Sequence, residues 1–564
     1  MGCSTAVRPG QGPVHCLPMR PPRLTTRIAR SFQLLATCAA LALHAPAPVH
    51  AQPRLPTLGD GAATTTSDER RLGDRIIREL YRDPDYIDDP VLQEYVEGIW
   101  QYLVDAARTR GELSPELEER FAWEILLGRD RTVNAFALPG GYLGVHLGLI
   151  GVVSSRDELA SVLAHELSHV TQRHIARLIA QQGKQTPLMI GSMILGALAA
   201  SRSPDAAMAM MMGGQALAVQ NQLNFSRDME READRMGYGL MAPAGFAPQG
   251  FVTMFDKLQQ ANRLNDNGSW PYLRSHPLTT ERMADMHSRL PRGVAPAPAP
   301  SMEHVMMAAR ARVLSRPGVD VLRQWALQPR STSFGSLPAT QQVAQLYAAA
   351  LSAVQLRDWP QAREMAQRLL AATAANADGL RQARLLQAEL ELAAGQPAAA
   401  LQALPAVQAS ASSPLPAAAP DAPAADHASG PSLATISVRE SRAARRPELL
   451  LRTQILLREQ GAASMAGPLQ TWVTEHPRDA TAWQLLAQVW REQGQDLRAL
   501  RAEAEVQVVR YDYPAAVDRL KAAQDLARRK GATADYIDAS IVDTRLRAVQ
   551  ELLSEQLREK AREK

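Results

Sequence analysis

Cysteine is missing from nearly the whole chain. Among 564 residues there are three, Cys3, Cys16 and Cys38, and none follows. Everything past that point folds without disulfides and runs no thiol chemistry, which suits an oxidising compartment. Aromatic residues are scarce at 5%, and with abundant alanine the chain leans toward helix. Long apolar runs are lacking too. The longest clean one, Pro187 to Ala200, has 14 residues, against about 20 needed to cross a bilayer. There is also no basic surplus for nucleic acid. The net charge is +4, but residues 1–51 hold Arg8, Arg20, Arg23, Arg27 and Arg30 with no lysine and no acid, so the remainder carries 4 − 5 = −1. That excludes binding to nucleic acid through bulk charge.

The five arginines belong to a leader. Arg20 to Arg30 form a basic region, Phe32 to Leu43 an apolar one, and Val49-His50-Ala51 a small-x-small end with cleavage before Gln52. Met1 and Met19 are both possible starts. The leader predicts export, and with a bacterial-type signal the periplasm is the expected compartment. The length exceeds one core's worth, so two or three domains are expected. The boundaries we read are a signal peptide over 1–51, a flexible lead-in over 52–66, a catalytic domain over 67–292, a linker over 293–301, helical repeats over 302–404, a disordered Pro/Ala-rich tract over 405–437 and further repeats over 438–564. The repeats are read from helical hairpins broken at Asp358-Trp359-Pro360 and again at Gly395-Gln396-Pro397, a spacing of 37 residues close to that of tetratricopeptide repeats. No transmembrane span is expected in the mature chain.

The chemistry is concentrated at Ala164-His165-Glu166-Leu167-Ser168-His169-Val170. Two histidines four apart lie on one helix face, spaced to hold one metal ion. Glu166 beside the first can take a proton from metal-bound water. Ser155-Arg156-Asp157-Glu158 reads as a capping box that opens this helix, and Gln181-Gln182-Gly183 as its end. Upstream, Ser67 is the expected cap of a first helix, and strands are expected over 121–127, 132–138 and 142–146. Downstream, Glu230 and Asp234 lie one turn apart. Catalytic zinc commonly takes two histidines, a glutamate and water, so Glu230 is the candidate third ligand and Asp234 the group that fixes a ligand histidine's tautomer. Glu232 faces elsewhere. His276 precedes Pro277 and a helix start, on a loop that either reaches the metal or leaves it a packed or surface residue. Arg282 reads as structural, close to the metal or regulatory. The Met-rich stretch from 187 to 217 is buried filler, a lid or an adaptable apolar surface.

His165-Glu166-x-x-His169 followed by Glu230-x-x-x-Asp234 resembles the peptidase family that includes the CAAX prenyl protease and HtpX. The match is closest to exported, BepA-like members that join the protease to tetratricopeptide repeats. Asn134-Ala135-Phe136-Ala137-Leu138-Pro139-Gly140-Gly141, Phe225-Ser226-Arg227 and His276-Pro277 with Glu281-Arg282 support it. The long Pro/Ala tract and the Met-rich insert depart from the pattern. The resemblance implies a mainly α fold with a small β-sheet: a gluzincin-type metalloprotease domain, then an α-helical tetratricopeptide-like solenoid. It implies one Zn2+ per chain on His165, His169 and Glu230, with Glu166 and Asp234 serving catalysis. The implied partners are unfolded or stalled outer-membrane proteins and, through the repeats, the outer-membrane assembly machinery. The rival reading is a chaperone or assembly adaptor in which the repeats dominate and proteolysis is minor or latent.

Overall fold

Thr65, rather than Ser67, starts the first helix. Its hydroxyl accepts from the Asp68 N–H at 3.1 Å, and Asp68 Oδ2 accepts from the Thr65 N–H at 3.3 Å. This reciprocal pair satisfies two orphan donors and places Ser67 inside helix α1 (Thr66–Leu80). The computed structural model describes residues 64–181, 226–263, 269–290, 299–404, 445–530 and 535–562. The leader over 1–51, most of the lead-in, the Met-rich segment over 187–217, most of the linker and the 405–437 tract lie outside the described residues. All the described residues fall within one compact unit, 61–564.

Strand β1 (Tyr86–Ile87) leads to α2 (Pro90–Thr109), capped by Asp89, and α3 (Pro115–Arg120). Strands β2 (Glu124–Gly128), β3 (Ala135–Leu138) and β4 (Tyr142–His146) follow. The first two begin three residues later than the sequence predicts. Trp123, at φ 52°, breaks the extended backbone before β2, and Asp130 Oδ1 accepts from the Thr132 N–H at 2.8 Å, turning the chain before β3. Gly140 and Gly141, at φ 77° and 81°, make the β3–β4 turn. The four strands run in the order β1-β2-β4-β3, with β2 and β4 parallel and β3 at one edge.

Helix α4 (Leu147–Val152) precedes α5 (Arg156–Thr171), which carries both motif histidines. Ser155 Oγ accepts from the Glu158 N–H at 3.1 Å, but Glu158 does not close the box on Ser155. Its carboxylate accepts from the Ser154 N–H at 2.6 Å and from Lys257 at 2.8 Å instead. The helix also stops earlier than the expected 181–183. Arg173 takes φ 51°, and the chain restarts as α6 (His174–Gln181). Helices α7 (Arg227–Met241), α8 (Gln249–Arg263), α9 (Tyr272–Ser275) and α10 (Thr280–Arg289) complete this part. The sheet is covered on both faces. Ala135, Ala137, Leu143 and Val145 join the core around α5, while Leu126, Leu138 and Tyr142 pack with Leu72, Ile76 and Ile77 of α1 and Ile175 and Ile179 of α6.

A helical region follows: α11 (Met302–Leu314), α12 (Val319–Leu327), α13 (Ala339–Gln355), α14 (Trp359–Thr373), α15 (Ala377–Ala393) and α16 (Pro397–Ala403). After the undescribed tract come α17 (Arg446–Arg458), α18 (Ala466–Glu475), α19 (Ala480–Glu492), α20 (Asp496–Val509), α21 (Tyr513–Lys530) and α22 (Tyr536–Arg562). Helix breaks fall at Asp358, which caps α14, and at Gly395, as the sequence predicts. The core does not stop where this region starts. Met306, Met307 and Ala309 of α11 and Leu451 and Ile455 of α17 belong to the same buried cluster as Leu103 and Leu163. Buried Arg310 ties the Asp89 carboxylate (2.7 and 2.8 Å) to Glu389 (2.8 and 2.9 Å), linking α2, α11 and α15. Among the described residues no helix is long and apolar enough to cross a membrane.

One half-buried acid on this seam makes stability pH-dependent. Glu97 of α2 accepts from Gln93 at 2.7 Å, and burial pushes its carboxyl up to about 7. A raised folded value means that its stabilising contribution is full below the unfolded carboxyl value and is lost as pH rises through about 7. Glu97→Gln should therefore raise the thermal midpoint at pH 8.5 and leave it near wild type at pH 5, as scanning calorimetry at the two pH values would register.

Candidate metal centre

The centre is assembled by α5, α7 and the α9–α10 loop. On α5 the i, i+4 spacing puts His165 and His169 on one face, both buried. Ser226 caps α7 by accepting from the Met229 N–H at 3.2 Å. This helix crosses α5 at Gly237, where a Cβ would meet the Ala164 backbone at 2.9 Å. That close approach brings Glu230 and Asp234 against His165. His276 is carried in on the third side. Its N–H donates to the Tyr272 carbonyl at 2.9 Å, and its ring stacks on the Tyr272 ring with centroids 4.5 Å apart. Thr279 caps α10 and aims Arg282 inward.

Four side chains converge: His165, His169, Glu230 and His276, all buried. His165 Nε2 lies 3.0 Å from His169 Nε2, 3.3 Å from His276 Nδ1 and 3.6 Å from Glu230 Oε2. Glu230 Oε1 lies 3.5 Å from His169 Nε2 and 3.0 Å from His276 Nδ1. Ligand atoms bonded tetrahedrally to zinc at about 2.0–2.1 Å stand about 3.3 Å from one another. The spacing and the donor set of imidazoles and one carboxylate therefore fit such an ion. His276 is not a surface residue: it is buried among the other three.

Glu166 lies beside this cluster. Its Oε2 accepts from the Ala137 N–H at 2.9 Å, while Oε1 is buried without a hydrogen bond and lies 3.4 Å from His276 Nε2. Burial raises its carboxyl above the usual range, against the pull of His276 and His165. Burial, with His165 and His174 close by, holds His169 far below the usual imidazole range and so neutral. For Glu230, burial works upward but is outweighed, with His276 first and Arg282 contributing, and the carboxyl ends low. Asp234 is held low in the same way, chiefly by Arg282. Asp234 Oδ1 stands 3.0 Å from His165 Nδ1. Arg282 forks onto Asp234 (Nε to Oδ2 2.6 Å, Nη2 to Oδ1 2.8 Å), and its Nη1 reaches Glu230 Oε2 at 2.8 Å.

The edge strand β3 is adjacent. Asn134 accepts from the His146 N–H, so positions 134, 136 and 138 bond to β4, and Ala135 and Ala137 present their backbone groups outward, with Ala137 facing Glu166. Sequence reading missed His174, and with it the link from Glu232 to the site. His174 Nδ1 lies 2.8 Å from His169 Nδ1, and its Nε2 lies 3.1 Å from Glu232 Oε2. Glu232 does point away from the four ligand atoms, but it reaches the site through His174.

The family described as peptidase family M48 matches residues 96–290. The chain is 32% identical over 342 residues to the β-barrel assembly-enhancing protease of Escherichia coli (strain K12), covering 59% of this chain and 66% of that one. It is 32% identical over 326 residues to the protein of that name in Yersinia pestis, covering 57% and 64%. The mitochondrial metalloendopeptidase OMA1 of Arabidopsis thaliana is 33% identical over 202 residues, 36% of each chain. The chain thus spans 63–66% of the length of the bacterial relatives it matches.

Proposed function

Because residues 96–290 form a peptidase family M48 domain, we propose that this chain is an exported zinc metalloendopeptidase. Its clients are misfolded or stalled outer-membrane β-barrel proteins, and its C-terminal repeats, of tetratricopeptide type, hold the client or the assembly machinery in the periplasm. The observation that carries the reading is the four-cornered His165–His169–Glu230–His276 cluster with the unbonded Glu166 Oε1 beside it. The relatives' shared name, β-barrel assembly-enhancing protease, supports the client class.

His165, His169 and Glu230 would hold the ion. Zinc bound there supplies polarisation of the scissile carbonyl and acidification of the attacking water. Glu166 takes that water's proton at Oε1 and returns it to the leaving amine, its orientation fixed by the Ala137 N–H on Oε2. Asp234 orients His165, and Arg282 holds both acids of α7. An extended client adds to the edge of β3 through the backbone of Ala135 and the Ala137 carbonyl, the Ala137 N–H staying on Glu166, so recognition runs through backbone rather than side chains.

His276 takes the fourth corner, which makes the resting enzyme latent. The full chain should cleave a urea-unfolded outer-membrane β-barrel protein slowly, and His276→Ala about tenfold faster, scaled on the roughly 1–3 kcal/mol of typical site-to-site coupling. A chelator should stop both and added Zn2+ restore them. No chelator-sensitive cleavage in either protein overturns the protease reading; unchanged or abolished cleavage in the variant removes latency alone.

The closed site also favours a second reading, an assembly adaptor with rare proteolysis. Removing residues 302–564 is a poor test, since it would uncover the core around Met306 and Met307. If cells carrying the Glu166→Gln full chain assemble β-barrel proteins as well as wild type, the adaptor reading wins.

A further inference from the structure

Two of the candidate ligands are imidazoles on one helix, and each must present Nε2 as a bare lone pair. Its Nδ1 must then carry the proton and needs an acceptor. For His165 that acceptor is the Asp234 side chain at 3.0 Å. For His169 it is another histidine, at 2.8 Å.

His174 is five residues after His169. On an unbroken helix it would point about 140° away. The positive φ of Arg173, 51°, folds the chain back and brings His174 onto the His169 ring. This conformation is unusual for a residue with a side chain, and it is tied down from outside. Arg173 Nη2 donates to the Thr64 carbonyl at 2.7 Å, and its Nε lies 3.1 Å from the buried carboxylate of Glu69 on α1.

The proton order in this chain has one arrangement that satisfies every atom. If His169 Nδ1–H donates to His174 Nδ1, the second ring's proton is on Nε2 and donates to Glu232 Oε2 at 3.1 Å. The reverse order would set a bare Nε2 against a carboxylate. Glu232 is held in turn by Arg177 Nη1 at 2.7 Å.

The geometry points to His174 as a positioning residue that fixes which nitrogen of His169 faces the metal, with Glu232 as the anchor behind it. The inference rests on the metal reading above, and the test separates the two. The metal-stripped full chain is titrated with Zn2+ against a chromogenic chelator, and the visible spectrum of its Co2+ form is recorded. His174→Phe keeps the ring and loses the acceptor. His174→Asn puts Oδ1 where Nδ1 was. Glu232→Ala removes the far anchor without touching His169.

We expect His174→Phe to bind Zn2+ roughly ten- to a hundredfold more weakly, with shifted Co2+ bands. His174→Asn should stay within a few-fold of wild type, and Glu232→Ala should fall between. Wild-type affinity in His174→Phe, or His174→Asn as weak as His174→Phe, overturns the assignment. If circular dichroism shows His174→Phe unfolded, Glu232→Ala decides, and wild-type affinity there overturns it. A wild-type chain that binds no Zn2+ overturns the metal reading instead.

Discussion

Glu166→Gln should lower cleavage by about 10²- to 10⁴-fold, the share a positioned general base contributes, while Zn2+ still binds. The substitution is nearly isosteric in a fully buried site. The Ala137 N–H donates to Oε2, so a carboxamide will turn its oxygen there and leave its NH2 at the Oε1 position. That group cannot take a proton. It is also not among the four converging ligands, so chelator competition should find Zn2+ affinity within a few-fold of wild type. Retained cleavage with retained Zn2+ would take the base role from Glu166.

Which parts of this site were legible beforehand follows from how local their determinants are. The His165–His169 pair needs only a helix, and Ser155 together with the apolar positions of α5 signals one. Glu230 and Asp234 need only another helix turn. The β3–β4 hairpin is announced by Gly140-Gly141, and its second strand is read to the residue. The edge position of β3 was not legible, because the β2–β4 pairing that puts it at the edge joins strands separate in sequence. His174 escaped for a sharper reason. A five-residue spacing shares no helix face, and nothing in Arg173 as a residue type announces a positive φ. Its stabilisers, Glu69 and the Thr64 carbonyl, lie more than 100 residues upstream. The burial of α11 and α17 in the core of the catalytic part was hidden likewise, since Arg310 finds Asp89 across 221 residues.

Arg282 shows the same distance effect and should cost the most stability. The sequence offers it as structural, metal-proximal or regulatory; in the fold one guanidinium, 4% exposed, serves Asp234 and Glu230, each 1% exposed. Its planar fork matches the Asp234 carboxylate with two bonds and spends the remaining nitrogen on Glu230 and the Pro277 carbonyl. Arg282→Met removes the one arginine both acids share and leaves two buried carboxylates side by side. Breaking a buried pair by removing one partner costs about 3–5 kcal/mol, and here the loss should fall at the upper end. Arg282→Lys should recover only part, because an ammonium cannot make the fork. The neighbouring Arg231 supplies the control. It pairs with Asp228 and Glu281 in the same region but in the open, so Arg231→Met should leave the unfolding midpoint unchanged. Urea titrations of the three variants with chelator present, so that bound metal cannot neutralise the acids, would measure the difference. An Arg282→Met midpoint equal to that of Arg231→Met would mean that the two carboxylates are protonated or hydrated in the fold, and that Asp234 does not stand ionised behind His165.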